Sequence, residues 1–300
     1  MRLLVSLCSR TDEAPGSLLV LDTAPLQIIE AARIVDPAFG TFGLSVSPST
    51  VYSVFDRGRP TPDQPERSEL RALDHGSLQD RWQYPFTVGR DVHSICADGR
   101  SLYAVSTGTD EVLRLDLDGE GRVKTEQVVW KPDPEAERAD LHHLNDVAVI
   151  DGRLLISGFG PRPGPNAWQD ARKGFVRSTS DGTAVLGPLY HPHSICDLGS
   201  GEFAVCESPR RRVVTNKNRT SSPLPGYARG LCLAEGKLYV GTSRNRHPSE
   251  PLSILPYRGD YGDQGLAAIC ELDLATLDVE RIIELSPHGR EVYDIAQLPT

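Results

Sequence analysis

"HLNDVAVIDGRLLISG", residues 143–158, decides how this chain folds. A polar entry leads into a short apolar run, a turn follows, and a second apolar run leads back. The same plan recurs as "TFGLSVSPSTVYSVFD" (41–56), "DVHSICADGRSLYAVS" (91–106), "HPHSICDLGSGEFAVCE" (191–207) and "YARGLCLAEGKLYVGTS" (227–243). "EVYDIAQLP" (291–299) supplies a first strand only, and "RLLVSLCS" (2–9) reads as its missing second strand. Further strand-like runs lie between these pairs, among them "EVLRLDLDG", "RVKTEQVVW", "AICELDLAT" and "VERIIELSP". Each unit then holds about four short strands in about 40–50 residues, the period of a propeller blade. Helical periodicity is nearly absent, with "DPEAERADLHHL" (133–144) the best candidate for a short helix. The expectation is an all-β chain, one six-bladed β-propeller domain over residues 1–300. The C-terminal strand closes the ring by joining the N-terminal blade, which removes an exposed sheet edge.

In a propeller the first strand of each unit is innermost, so the residues entering it converge at one end of the central channel. Alignment of the apolar runs puts Gly43, His93, Asn145, His193, Arg229 and Tyr293 at one equivalent position. Two residues upstream, on the same side by strand alternation, stand Asp91, His143, His191, Tyr227 and Glu291. Four of the chain's eight histidines therefore fall in one predicted ring. Neutral imidazole suits zinc, iron, copper and nickel, and a catalytic metal keeps about three protein ligands and an open position, so the expected cofactor is a divalent transition metal: zinc, iron, copper or manganese. His93, His143 and His193 are the candidate ligands, with His191 and Glu291 as further ligands or as orienting groups. Calcium, through Asn145, Glu291 and Asp146 or Asp294, fits less well, because a hard cation prefers oxygen to a ring rich in imidazole. Tyr227 and Tyr293 are the candidate proton carriers, and Arg229 the group that holds an anion. Asn145, Asp91 and Trp168 are candidate substrate contacts.

Three connections between second and third strands are long: 56–68, 158–174 and 243–265. They offer Trp168, Tyr257 and Tyr261 as a lid over the channel mouth. Ser94 and Ser194 follow histidines directly and point away, which argues against a Ser–His nucleophile. The formal net charge of -9 argues against binding a nucleic-acid backbone, and the cluster Arg210, Arg211 and Arg212 reads as a solvated outer strand. No stretch approaches a membrane span, and the apolar start of "MRLLVSLCSRTDE" is too short for a signal segment. Six cysteines without a CxxC pair read as reduced thiols of a cytoplasmic protein.

"LHHLNDVAV", "HPHSICDLGSGEFAVCES", "PGYARGLCL", "LYVGTSRNR" and "EVYDIAQLP", in this order over roughly residues 90–300, resemble an uncharacterised bacterial propeller family, some of whose members carry tetratricopeptide repeats. The resemblance implies the six-bladed fold and no activity. More distantly, "LNDVAVIDGRLLIS" is similar to the strand pair of gluconolactonase-like propellers, with Asn145 at the place of their metal-binding asparagine. The carboxylate partners of that family have no clear counterpart here. A three-histidine channel is also similar in kind to the site of the peptidyl-hydroxyglycine lyases, where histidines hold zinc while tyrosine and arginine assist. These readings lead to a metal-dependent lyase or hydrolase acting on a small polar, anionic substrate. The alternative is a non-catalytic propeller that binds a small molecule or a protein partner.

Overall fold

The computed structural model describes residues 1–8, 17–32, 40–56, 68–164, 168–244 and 265–299. The N-terminal strands are β1 (Arg2–Cys8), β2 (Ser17–Thr23) and β3 (Leu26–Ala32). A four-stranded antiparallel sheet follows, of β4 (Gly40–Val46), β5 (Thr50–Asp56), β6 (Ser68–Asp74) and β7 (Asp80–Pro85). The next holds β8 (Val92–Asp98), β9 (Ser101–Ser106), β10 (Glu111–Leu117) and β11 (Val123–Trp130). A third holds β12 (Leu144–Ile150), β13 (Arg153–Gly158), β14 (Gly174–Ser178) and β15 (Ala184–Leu189). A three-stranded sheet holds β16 (Pro192–Gly199), β17 (Glu202–Glu207) and β18 (Arg212–Thr215). The last strands are β19 (Tyr227–Ala234), β20 (Lys237–Ser243), β21 (Ala268–Asp273), β22 (Val279–Glu284) and β23 (Glu291–Leu298).

β23 pairs antiparallel with β1, from Arg2 opposite Leu298 to Cys8 opposite Glu291, so the two ends of the chain share one sheet. That sheet meets β20 through the single pair Ser243–Glu291, which makes one eight-stranded sheet of the two halves. The innermost strands neighbour one another in a closed cycle: β4, β8, β12, β16, β19, β23 and back to β4. This is a propeller-like, all-β arrangement.

Apolar side chains between successive sheets hold the cycle together. Leu4, Leu18 and Val20 meet Leu44, Val51 and Leu73, whereas Val54, Leu70 and Ala72 meet Ile95, Leu102 and Ala104. Val105 and Val112 meet Val147, Ile156 and Phe175, and further round Ala148 and Leu155 meet Phe203 and Val205. Cys206 and Val213 meet Leu231 and Val240, and finally Cys232 and Tyr239 meet Leu3, Leu19 and Leu21. The inner and middle strands bury both faces, which is why they read as apolar runs. The outermost strands β7, β11 and β22 expose most of their residues.

Every innermost strand carries a register shift at the same level. The shifts fall between Thr41 and Leu44, Val92 and Ser94, Leu144 and Asp146, His193 and Ile195, and Arg229 and Leu231, and β23 shifts opposite Ser6 and Leu7. A bulge leaves one residue unpaired and re-aims its side chain. His93, Asn145 and Tyr293 are themselves the unpaired residues, while Ser194 and Gly230, both at positive φ, take that place after His193 and Arg229.

Two expectations are corrected. Residues 133–143 form turns, bends and irregular chain, not a helix, and Leu144 already begins β12. Proline at 134 withholds an N–H, and Asp110 Oδ2 accepts the backbone N–H of Leu141 at 2.7 Å and of His142 at 2.6 Å, which an α-helix would need for itself. The basic triple is solvated only in part: Arg210 and Arg212 keep access to water while both bind the buried carboxylate of Glu207, at 2.6 Å each, and Arg211 is buried.

Candidate functional site

The bulges aim their side chains at one end of the cycle, where seven groups form a closed circuit. The Arg229 guanidinium carbon lies 5.2 Å from the ring centres of both Tyr293 and Tyr227. Tyr293 meets His93 at 5.9 Å, His93 meets His143 at 5.4 Å, and His143 meets Phe159 at 4.5 Å. Phe159 meets His193 at 5.2 Å, and His193 returns to Tyr227 at 5.5 Å. Phe42 packs beside this circuit, 4.7 Å from Tyr293 and 5.8 Å from His93. His191 stacks on the outer side of Phe159, with rings 9° from parallel at 4.1 Å. Trp168 covers His143 at 4.0 Å. Of the other expected lid residues, Tyr257 and Tyr261 lie outside the described residues, as do 57–67, 165–167 and 245–264.

Local chemistry fixes each group. Asp91, His143 and His191 adopt φ of 48°, 51° and 43°, a left-handed conformation that is costly for side-chain-bearing residues and here recurs at three equivalent entries. Phe159 N–H donates to the His143 carbonyl at 3.3 Å and Gly160 N–H to that of His142 at 3.1 Å, which pins the aromatic residue beside the imidazole. His143 Nδ1 lies 3.0 Å from Asp140 Oδ2. A carboxylate only accepts, so Nδ1 donates and Nε2 keeps its lone pair. His93 is held on both sides, by Asn145 Oδ1 at 3.3 Å and by Asp91 Oδ1 at 3.2 Å. Asn145 Nδ2 donates to the His143 carbonyl at 3.4 Å, which sets the orientation of that amide. His193 Nδ1 meets Ser208 Oγ at 2.7 Å, and His191 Nε2 donates to the Trp168 carbonyl at 2.8 Å. Burial holds both neutral: the His191 pKa is pushed down to about 3, and that of His193 lies well below the usual value.

Arg229 is the permanent cation of the circuit. Its side chain is 15% exposed, yet Nε and Nη1 are buried without a hydrogen-bond partner. Glu291 approaches Nη1 at 3.6 Å, an ion pair too long for a hydrogen bond. The Trp168 indole Nε1 is also a buried donor without a hydrogen-bond partner among the described residues.

All the predicted site residues with a described position reach this end of the fold; of the three expected metal ligands, His93 meets partners through both ring nitrogens, whereas the hydrogen bonds of His143 and His193 described above use Nδ1. No group of three or more His, Cys, Asp or Glu side chains among the described residues is arranged to hold a metal ion. Of the oxygen ligands considered for calcium, Asp146 and Asp294 meet other partners. Asp146 accepts from Ser94 Oγ and from Ile195 N–H, and Asp294 Oδ2 accepts from Leu44 N–H at 2.8 Å. Both carboxylates turn sideways to neighbouring inner strands and tie them together. Asp140 and Phe159 escaped the sequence reading: one stands in irregular chain, the other follows a second strand, and neither sits at the aligned position. The signal for Asp140 was an acid three residues before His143.

Antiparallel sheets whose inner strands run in a closed cycle, with polar and aromatic side chains converging at one end, define a β-propeller-like fold. The chain belongs to the family described as a domain of unknown function, DUF4915, which matches residues 78–300. No curated protein matches it. Among solved structures it is similar to a chain of a nidogen/laminin complex (TM-score 0.66, 13% identity, 98% of this chain and 97% of that one). It is also similar to a periplasmic gluconolactonase of Pseudomonas aeruginosa (TM-score 0.57, 16% identity, 99% of each chain). A third is a putative 6-phosphogluconolactonase of Bacteroides fragilis (TM-score 0.58, 14% identity, 98% of this chain and 97% of that one). Identities this low carry the shared fold alone. No helix among the described residues is long and apolar enough to cross a membrane.

Proposed function

We propose that this protein is a hydrolase acting on a small anionic molecule at the mouth of a six-bladed propeller. The carrying observation is Arg229: a cation withdrawn from water, between two tyrosine rings, with two nitrogens lacking hydrogen-bond partners. Leaving such donors unmet costs free energy that an oxyanion would return. Two of the similar structures are named as lactonases, which supports hydrolysis as the reaction class. The blade count rests on reading the eight-stranded sheet as two blades, β19–β22 and β23 with β1–β3, and the whole chain as one domain. Six free cysteines support a reducing, cytoplasmic compartment.

In the mechanism Arg229 holds the anionic group, while Tyr227 and Tyr293 wall it and keep water off the guanidinium. His143, its Nδ1–H fixed by Asp140, uses Nε2 to take a proton from the attacking water and returns it to the leaving oxygen. No step runs through a metal. The anticipated zinc, iron, copper or manganese on His93, His143 and His193 would require His93 to give up Asn145 and Asp91.

The test is a pH-stat hydrolysis screen of small anionic esters and lactones with the parent, Arg229→Met and His143→Gln proteins, alongside metal content by mass spectrometry on untagged protein. The reading expects acid release by the parent, lost in both variants while their far-UV circular dichroism is unchanged. Saturable anion binding without turnover would make the ring a recognition site instead. One equivalent of metal that depends on His143 would replace the acid–base step.

A further inference from the structure

Arg229 and the indole N–H of Trp168 are buried donor groups at this site that have no hydrogen-bond partner among the described residues. They do not stand side by side. Going round the circuit from Arg229, His143 is reached through Tyr293 and His93 one way, and through Tyr227, His193 and Phe159 the other. Trp168 lies against His143, on the part of the circuit removed from Arg229. The indole is held there by its own carbonyl, which receives His191 Nε2 at 2.8 Å and Ala171 N–H at 2.8 Å. Indole nitrogen only donates, and a buried indole N–H usually finds an acceptor.

We propose that the site takes a bifunctional acid, with an oxyanion on Arg229 and, across the mouth, a neutral acceptor such as a carbonyl oxygen on the Trp168 N–H. This rests on the reading that Arg229 holds the anion, and it adds where the second polar group of the ligand sits. A carbonyl carbon bound there lies on the His143 side, where water activated by that imidazole can reach it. The groups between the two donors are rings, Tyr293 and His93 on one side and Tyr227, His193 and Phe159 on the other, so the stretch linking the ligand's polar ends meets mainly aromatic surface.

The experiment is isothermal titration with 4-oxopentanoate, 5-oxohexanoate and 6-oxoheptanoate, each beside the alkanoate of equal chain length. In the parent protein at least one oxo acid is expected to bind about fivefold to tenfold more tightly than its alkanoate, the worth of one neutral hydrogen bond. Trp168→Phe keeps the ring and removes the N–H. It should erase that preference and leave alkanoate binding unchanged, whereas Arg229→Met should weaken every acid at least about tenfold. Equal binding of oxo acid and alkanoate at all three lengths in the parent would overturn the proposal without any variant. A preference that survives in Trp168→Phe would overturn the assignment to Trp168. Binding of no acid, or binding indifferent to Arg229→Met, would instead sink the reading of Arg229 as the anion holder, and this inference with it.

Discussion

Replacing Asp294 by asparagine should abolish a pH dependence of stability that the parent protein shows above neutrality. Asp294 is fully buried, and burial first, then the negative charge of Asp146, raises its pKa from 3.8 to about 8. Burial likewise raises Asp146 to about 6, against the lowering effect of Ser94 and the Ile195 and Val147 N–H groups. A carboxyl whose pKa is higher in the folded than in the unfolded chain binds more protons when folded. Its contribution is full at low pH and is lost as pH rises through the folded pKa. His191 and His193 act in the opposite sense, since their folded pKa values lie below 6.5, but only below that value. Surface carboxylates with lowered pKa, such as Asp116 and Asp181, matter only near and below their unfolded value of 3.8. Between about pH 6.5 and about pH 8 Asp294 therefore dominates, at about 1.4 kcal/mol per pH unit, or about 2 kcal/mol over the window. Urea unfolding at several pH values should show the parent losing about that much, while Asp294→Asn stays flat and becomes the more stable at pH 8. Asparagine can still accept the Leu44 N–H, which keeps the inter-strand tie. A parent stability that is level or rising across the window, or a variant with the parent's slope, would refute the reasoning.

Asp140→Asn should lower kcat at least about tenfold with little change in KM, because it frees His143 Nδ1 without touching the anion site. Steady-state kinetics decides, and an equal fall in affinity would contradict the assigned role. Glu207→Gln should destabilise the fold by about 2 kcal/mol in urea unfolding, since a buried carboxylate serving Arg210, Arg212 and the Tyr190 N–H loses its charge while both arginines keep access to water. A loss under about 0.5 kcal/mol would mean these pairs carry little weight.

Much of the fold was legible because each unit repeats one strand–turn–strand pattern and the orphan strand 291–299 needs a partner. The pairing of β23 with β1 is that partner found. Convergence of His93, His143, Asn145, His193, Arg229 and Tyr293 followed from the same alignment. What alternation could not supply is the bulge in every inner strand, which turns Asp146 and Asp294 to neighbouring strands rather than into their own sheets. Nor does a list of histidines reveal which nitrogens are already occupied; His93 reads as a free ligand until Asn145 and Asp91 are seen on it. The short apparent helix at 133–144 failed because Asp110, remote in sequence, captures its backbone donors.

The most direct test of the account is a crystal structure of the protein soaked in 5-oxohexanoate near pH 7. The account predicts its carboxylate within hydrogen-bond distance of Arg229 Nε or Nη1, between the rings of Tyr227 and Tyr293. Carboxylate density elsewhere, with Arg229 bonded to a protein group instead, would contradict it.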